Sequence, residues 1–272
     1  MRLSIFLIVL AIAPSVPNHA WAFDTSSLAA HSALYDLQID PARRPSSDVT
    51  EASGTLSYEI TDACDAWASR QRLTIDTVNR DGQTIELVSD YVTLESKDGL
   101  SMQFRMKQTT ETAVMEEVEG RATLERTGGP GTVVYEGKTP HTVALPAGTL
   151  FPMMHTAAII QAAEDGKKYL AVPLFDGTGD KGAQDSGVAI AGWGKSPPGP
   201  FESLVALPSG RVRIAFFDRD RDSTSEKVTG APDYEVGMRY YQNGVSDDLV
   251  MDFSEFVLKG RLTQYATVAP HC

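Results

Sequence analysis

The most regular signal along the chain is alternation. From Leu100 to Lys107, apolar Leu100, Met102, Phe104 and Met106 interleave with polar Ser101, Gln103, Arg105 and Lys107. Successive side chains of a β-strand point to opposite faces, so this pattern predicts a strand with one buried and one wet face. Ala33, Tyr35, Leu37 and Ile39 repeat it, as do Val212, Ile214 and Phe216, and then Tyr234, Val236, Met238 and Tyr240. Turn-forming groups punctuate the runs: Asp81-Gly82, Asp98-Gly99, Gly128-Gly129-Pro130, Pro208-Ser209-Gly210 and Asn243-Gly244. Alternating runs punctuated by such turn signals predict a mainly β protein of about fourteen antiparallel strands built from hairpins. That is too many for one flat sheet, which must curl, close or split.

One segment has a different period. Pro152 to Asp165, with proline in the first turn and Gly166 just past the end, predicts a helix. Its apolar residues Met153, Met154, Ala157, Ala158, Ile159, Ile160, Ala162 and Ala163 cover nearly every face, while His155, Thr156, Gln161 and Glu164 form no continuous stripe. A helix apolar all round is a buried helix, and in a mostly β chain the concave side of a curved sheet is where it can be buried. Two readings stay open: an ordinary core helix, or one in which Met153, Met154, His155, Ala158, Ile159 and Ala162 fill or line an apolar cavity able to accept a lipid-like ligand. His155 is correspondingly either a neutral core histidine or a polar handle for such a ligand.

Two stretches read as loops. Gly177 to Pro200 is rich in glycine and proline and is expected to join two halves of the sheet around 177–200, within a single unit spanning 23–272. Arg219 to Pro232, with alternating charges and small residues, is expected to be a surface loop.

Composition narrows the function classes. The 272 residues carry 36 acidic against 24 basic side chains, a formal net charge of -12. Nucleic acids and anionic lipid surfaces demand a basic footprint, so both are disfavoured as partners. Arg2, the uncharged run Leu3–Val16 and the small-x-small group Ala20-Trp21-Ala22 have the form of a signal peptide, residues 1–22, cleaved after Ala22. The run is shorter than the ~20 apolar residues a membrane span needs, and a soluble periplasmic product is expected. In an oxidising compartment the two cysteines, Cys64 and Cys272, have one possible pairing; two separate thiols are the alternative. A bond would close a loop of about 200 residues, worth at most about 5 kcal/mol in the chain-entropy model.

Catalytic and metal-binding patterns are sparse. Neither Gly-x-Ser-x-Gly nor His-Glu-x-x-His occurs, and His31, His141, His155 and His271 are widely separated, so no metal or cofactor is expected. Gly194-Lys195-Ser196 imitates a phosphate loop, but Ala189 stands where the first glycine is required. Asp218, Asp220 and Asp222 imitate a calcium loop, yet Ser223 replaces its turn glycine and Thr229 its bidentate glutamate.

An ordered series of landmarks remains: Ala30-His31-Ser32-Ala33-Leu34-Tyr35-Asp36-Leu37, Ala63-Cys64-Asp65-Ala66-Trp67, Leu145-Pro146-Ala147-Gly148-Thr149-Leu150-Phe151-Pro152, His155-Thr156, Phe175-Asp176-Gly177, Pro232-Asp233-Tyr234-Glu235-Val236, Asn243-Gly244-Val245 and the final Cys272. Taken in order, these resemble the cell envelope integrity protein EipB family of periplasmic proteins. The resemblance implies a spiral-like, broken β-barrel around the apolar helix, clasped by a Cys64–Cys272 disulfide and similar to the half-barrels of periplasmic lipoprotein carriers. It also implies a non-enzymatic role in envelope integrity, with a periplasmic tetratricopeptide-repeat protein as partner, an apolar lipid or lipoprotein ligand, or both. The competing expectation is an envelope hydrolase or transferase in which His155 or His31 meets acidic residues across strands.

Overall fold

A computed structural model describes residues 23–43, 48–219, 231–253 and 255–270. The expected signal peptide, the greater part of the 219–232 loop and Cys272 lie outside the described residues.

The strands are β1 (His31–Ile39), β2 (Val49–Asp62), β3 (Ala66–Asn79), β4 (Thr84–Ser96), β5 (Ser101–Thr110), β6 (Val114–Leu124), β7 (Gly131–Glu136), β8 (His141–Leu145), β9 (Tyr169–Leu174), β10 (Gln184–Lys195), β11 (Pro208–Phe217), β12 (Tyr234–Tyr241), β13 (Ser246–Asp252) and β14 (Val257–Thr267). Helix α1 (Pro152–Glu164) lies between β8 and β9, and the single turn α2 (Glu202–Val205) between β10 and β11. All fourteen strands form one unclosed, curved antiparallel sheet in the order β8-β7-β6-β5-β4-β3-β2-β1-β14-β13-β12-β11-β10-β9. Two meanders, β1 to β8 and β9 to β14, are therefore seamed by the first and last strands, with His31 opposite Thr267 and Ile39 opposite Leu258.

This order places β8 and β9, neighbours in sequence, at opposite edges of the sheet. Their connection is more than half helix, which advances only about 1.5 Å per residue, so it can span them only if the sheet curls until its edges approach. The segment leaving β8 makes the closest link: Leu150 N–H donates to the Pro173 carbonyl (2.9 Å), and Phe175 N–H donates to the Leu150 carbonyl (3.0 Å). The same connection carries α1 into the interior.

Nine of the thirteen α1 residues are buried. Ile159, Ala162 and Ala163 pack with Val188, Val212 and Ile214 of the second meander. Met153, Ala157 and Ile160 pack with Leu28, Ile60 and Trp67 at the other side. Apolar residues on every face are thus explained by sheet on several sides. The helix ends in a Schellman motif, with Gly166 at φ +74° and Gly166 and Lys167 N–H groups donating to the Ala163 and Ala162 carbonyls.

The alternating runs behave as strands. Met102, Phe104 and Met106 point inward from β5, and Val212, Ile214 and Phe216 from β11. Two local expectations differ from the structure. Pro208-Ser209-Gly210, read as a turn, opens β11; a Cβ at Gly210 would lie 2.8 Å from the Trp193 ring, so glycine here serves a cross-strand aromatic. Of the loop-like stretch 177–200, Gln184–Lys195 is β10, and the switch between meanders falls at α1. Glycine permits close approach within a strand as readily as it permits a turn, so composition alone does not separate the two.

Candidate functional site

Alternation fixes which residues face the concave side. From β2 these include Leu56, Tyr58 and Ile60; from β3, Ser69 and Gln71; from β4, Ser89, Tyr91 and Thr93; from β5, Met106 and Gln108; from β12, Tyr234, Val236, Met238 and Tyr240. Many of these are only half-buried even though they point inward. The uncovered space is a chamber of about 720 Å³ beside the first turn of α1, within the size range of small-molecule sites.

The two meanders give the chamber unlike walls. Across the first, Tyr58 faces Gln71, Gln71 faces Tyr91, and Ser89 faces Gln108, which in turn faces Glu116. The second contributes Ile214, Phe216, Val236, Met238, Leu249 and Met251. Tyr234 stacks on Phe216 at 4.3 Å between ring centroids, and the Tyr91 hydroxyl donates to the Asp176 carbonyl. A groove of about 330 Å³ on the β10–β12 side is the other opening of note. Its charged groups are already engaged, Arg43 with Asp252 and Arg213 with Glu235.

Residues 22–269 match the EipB-like family model. The chain belongs to the EipB-like family. It is 29% identical over 246 residues to the cell envelope integrity protein EipB of Brucella abortus (strain 2308), covering 87% of this chain and 83% of that protein. It also superposes on the crystal structure of a beta-barrel-like protein of a domain of unknown function from Brucella abortus. That likeness has a TM-score of 0.80 at 25% identity and covers 89% of this chain and 99% of the other.

In this EipB-like chain the residues expected on the helix divide between two roles. Met153 and His155, with Pro152 and Thr156, reach the chamber wall. Met154, Ala158, Ile159 and Ala162 instead pack into core clusters. His155 Nε2 lies 2.9 Å from Ser186 Oγ. The Ser186 hydroxyl donates to the Val172 carbonyl at 2.8 Å, so the histidine ring must supply the proton of the pair, which sets the Nε2–H tautomer. Burial pushes the imidazole down to about 4. Ser186 is 2% exposed and is not on the chamber wall. The serine proton is thus directed away from the histidine, and the pair presents no nucleophile to the chamber. His31 is buried, with Nδ1 2.7 Å from the Ala29 carbonyl oxygen.

The EipB-like interior also holds a carboxylate that alternation does not announce. Glu95 on β4 faces Trp67 on one side and Met102 on the other, and is 1% exposed. Its oxygens accept hydrogen bonds from Met153 N–H (2.8 Å) and Met154 N–H (3.0 Å), the free donors of the first helical turn. Phe151 occupies the N-cap position and supplies no side-chain acceptor, so Glu95 caps α1 from a neighbouring strand. Burial raises its carboxyl to about 7 against the opposing pull of the two N–H groups.

Cys64 sits between β2 and β3 with φ +69°, and its N–H donates to Asp62 Oδ1 at 3.0 Å. Ile60, near the end of β2, lies opposite His31, which lies opposite Thr267 near the end of β14. The chain therefore leaves β14 two strand spacings, about 10 Å, from Ile60, four residues before Cys64. Among the described residues no helix is long and apolar enough to cross a membrane.

Proposed function

We propose that this EipB-like chain is a non-enzymatic periplasmic protein, exported by residues 1–22 and cleaved after Ala22, that supports cell envelope integrity by holding an amphiphilic ligand. The observation carrying this reading is the chamber: a volume of about 720 Å³ lined by apolar and polar side chains beside a buried helix. An ordinary core of this composition would close to native density. The name of the Brucella abortus relative, a cell envelope integrity protein, supports the envelope context.

Two parts of the proposal come from the family resemblance. One is a periplasmic tetratricopeptide-repeat protein as partner. The other is the Cys64–Cys272 disulfide, for which five residues beyond Thr267 can reach at most about 17 Å, more than the two strand spacings that separate Thr267 from Ile60. Native mass spectrometry of the mature chain after incubation with envelope extract tests the ligand role. A stoichiometric lipid-sized adduct is expected; a bare protein in every extract would refute it. Co-purification with the repeat protein from envelope fractions tests the partner.

A further inference from the structure

The charge of the chamber restricts what can occupy it. Among the described residues on its wall there are three carboxylates, Glu116, Asp176 and Asp233, and no lysine or arginine. Asp176 Oδ1 accepts from the Thr178 N–H (3.0 Å) and hydroxyl (2.8 Å), and Asp233 Oδ2 from the Asp218 N–H (2.7 Å). Neither Glu116 nor Asp176 forms an ion pair with a described basic residue. Burial raises the carboxyl of Asp176. Burial, and then the charge of Asp180, raises that of Glu116. An anionic head group entering here would meet like charge with no lysine or arginine among the described wall residues to offset it, whereas a cation would relieve it.

Aromatic faces stand at the same place. Tyr91 and Tyr234, one from each meander, line the chamber together with Asp176, and the Tyr91 hydroxyl donates to the Asp176 carbonyl; burial and then the Asp176 charge hold both hydroxyls well above the ordinary value. Tyr58 and Tyr240 add further aromatic faces to the wall. Tyrosine faces attract ammonium groups, most strongly when water is excluded. The apolar wall of Ile214, Val236, Met238, Leu249 and Met251 offers the surface an alkyl body requires.

Building on the ligand reading above, we infer that the chamber selects a cationic amphiphile, its ammonium head held by Glu116, Asp176 and the surrounding tyrosines and its alkyl body against the β11–β13 wall. The test compares three probes sharing a dodecyl chain, each below its micellar concentration: dodecyltrimethylammonium, dodecyl maltoside and dodecyl phosphate. Binding to the mature protein is followed by calorimetry, with near-ultraviolet circular dichroism to verify that the fold persists. The ammonium probe should bind at least about tenfold more tightly than the maltoside, and its advantage should shrink with salt. The phosphate should bind more weakly than either. The Glu116→Gln/Asp176→Asn double variant should bring the ammonium probe to parity with the maltoside. Equal affinities in the unaltered protein, preference for the phosphate, or an undiminished ammonium preference in the double variant would overturn the inference and leave the ligand reading standing. Failure of all three probes to bind would overturn both.

Discussion

Glu95 offers the most searching test of how the interior is held together. Its carboxylate bonds the free N–H groups of Met153 and Met154 yet sits between Trp67 and Met102, away from water. The N–H bonds and the helix dipole favour the ionised form; removal from water opposes it. With desolvation the larger influence, the folded-state value rises from 4.5 to about 7. Each pH unit of that rise is worth about 1.4 kcal/mol, so about 3 kcal/mol depends on protonation. The direction follows from proton counting. Between pH 4.5 and 7 the folded protein holds a proton on Glu95 that the unfolded chain has lost, so stability must fall as pH rises through that window and level off above it. The assay is urea denaturation of the mature chain and of Glu95→Gln at intervals from pH 4.5 to 8. Subtracting the two profiles removes titrations common to both. The stability of the unaltered protein relative to the variant should decline by about 3 kcal/mol across the window. A flat difference would show that Glu95 does not titrate there, and a difference growing with pH would show that the helix donors outweigh desolvation; either refutes the reasoning.

His155 should act in the opposite sense. Burial lowers its folded value from 6.5 to about 4, so the stability it contributes is present above pH 6.5 and lost on acidification toward 4. Relative to His155→Leu, the unaltered protein should lose about 3 kcal/mol over that range, measured by denaturation at each pH; parallel profiles would contradict the assignment. Cys64→Ser, Cys272→Ser and the double variant should each lose the same amount, about 2 to 5 kcal/mol, by thermal melting of oxidised protein, whereas unequal losses would point to separate roles for the thiols. Gly177 has φ +73°, and a Cβ there would lie 2.5 Å from Cγ of the buried Phe104 ring. Gly177→Ala should cost about 1 to 3 kcal/mol through strain and overpacking, and an unchanged urea midpoint would show that the ring can give way.

Much of this architecture is local in origin. The period-two runs marked the faces of β1, β5, β11 and β12, Asp98-Gly99 marked the turn into β5 and Asn243-Gly244 the turn out of β12, and Pro152 and Gly166 bracketed α1. Such signals are readable because alternation, fixed φ and left-handed turns are properties of a few consecutive residues. The apolar circumference of α1 even required that it be enclosed.

The tertiary structure alone decided where the rest would go. Along Tyr91-Val92-Thr93-Leu94-Glu95, alternation taken by itself would bury Val92 and Leu94. In the structure these are 39% and 40% exposed, while Thr93 and Glu95 are buried. Two distant demands set that register: Ser69, across the ladder, bonds Thr93 at 2.6 Å, and the first turn of a helix some sixty residues later in the chain needs an acceptor. The chamber, its paired walls and the meeting of Tyr91, Tyr234 and Asp176 are likewise products of the curl that brings two meanders face to face. A sequence pattern reports the environment of neighbours along the chain, but a carboxylate capping another element, or a space left between two sheets, is defined only by residues far apart in sequence that the fold makes adjacent.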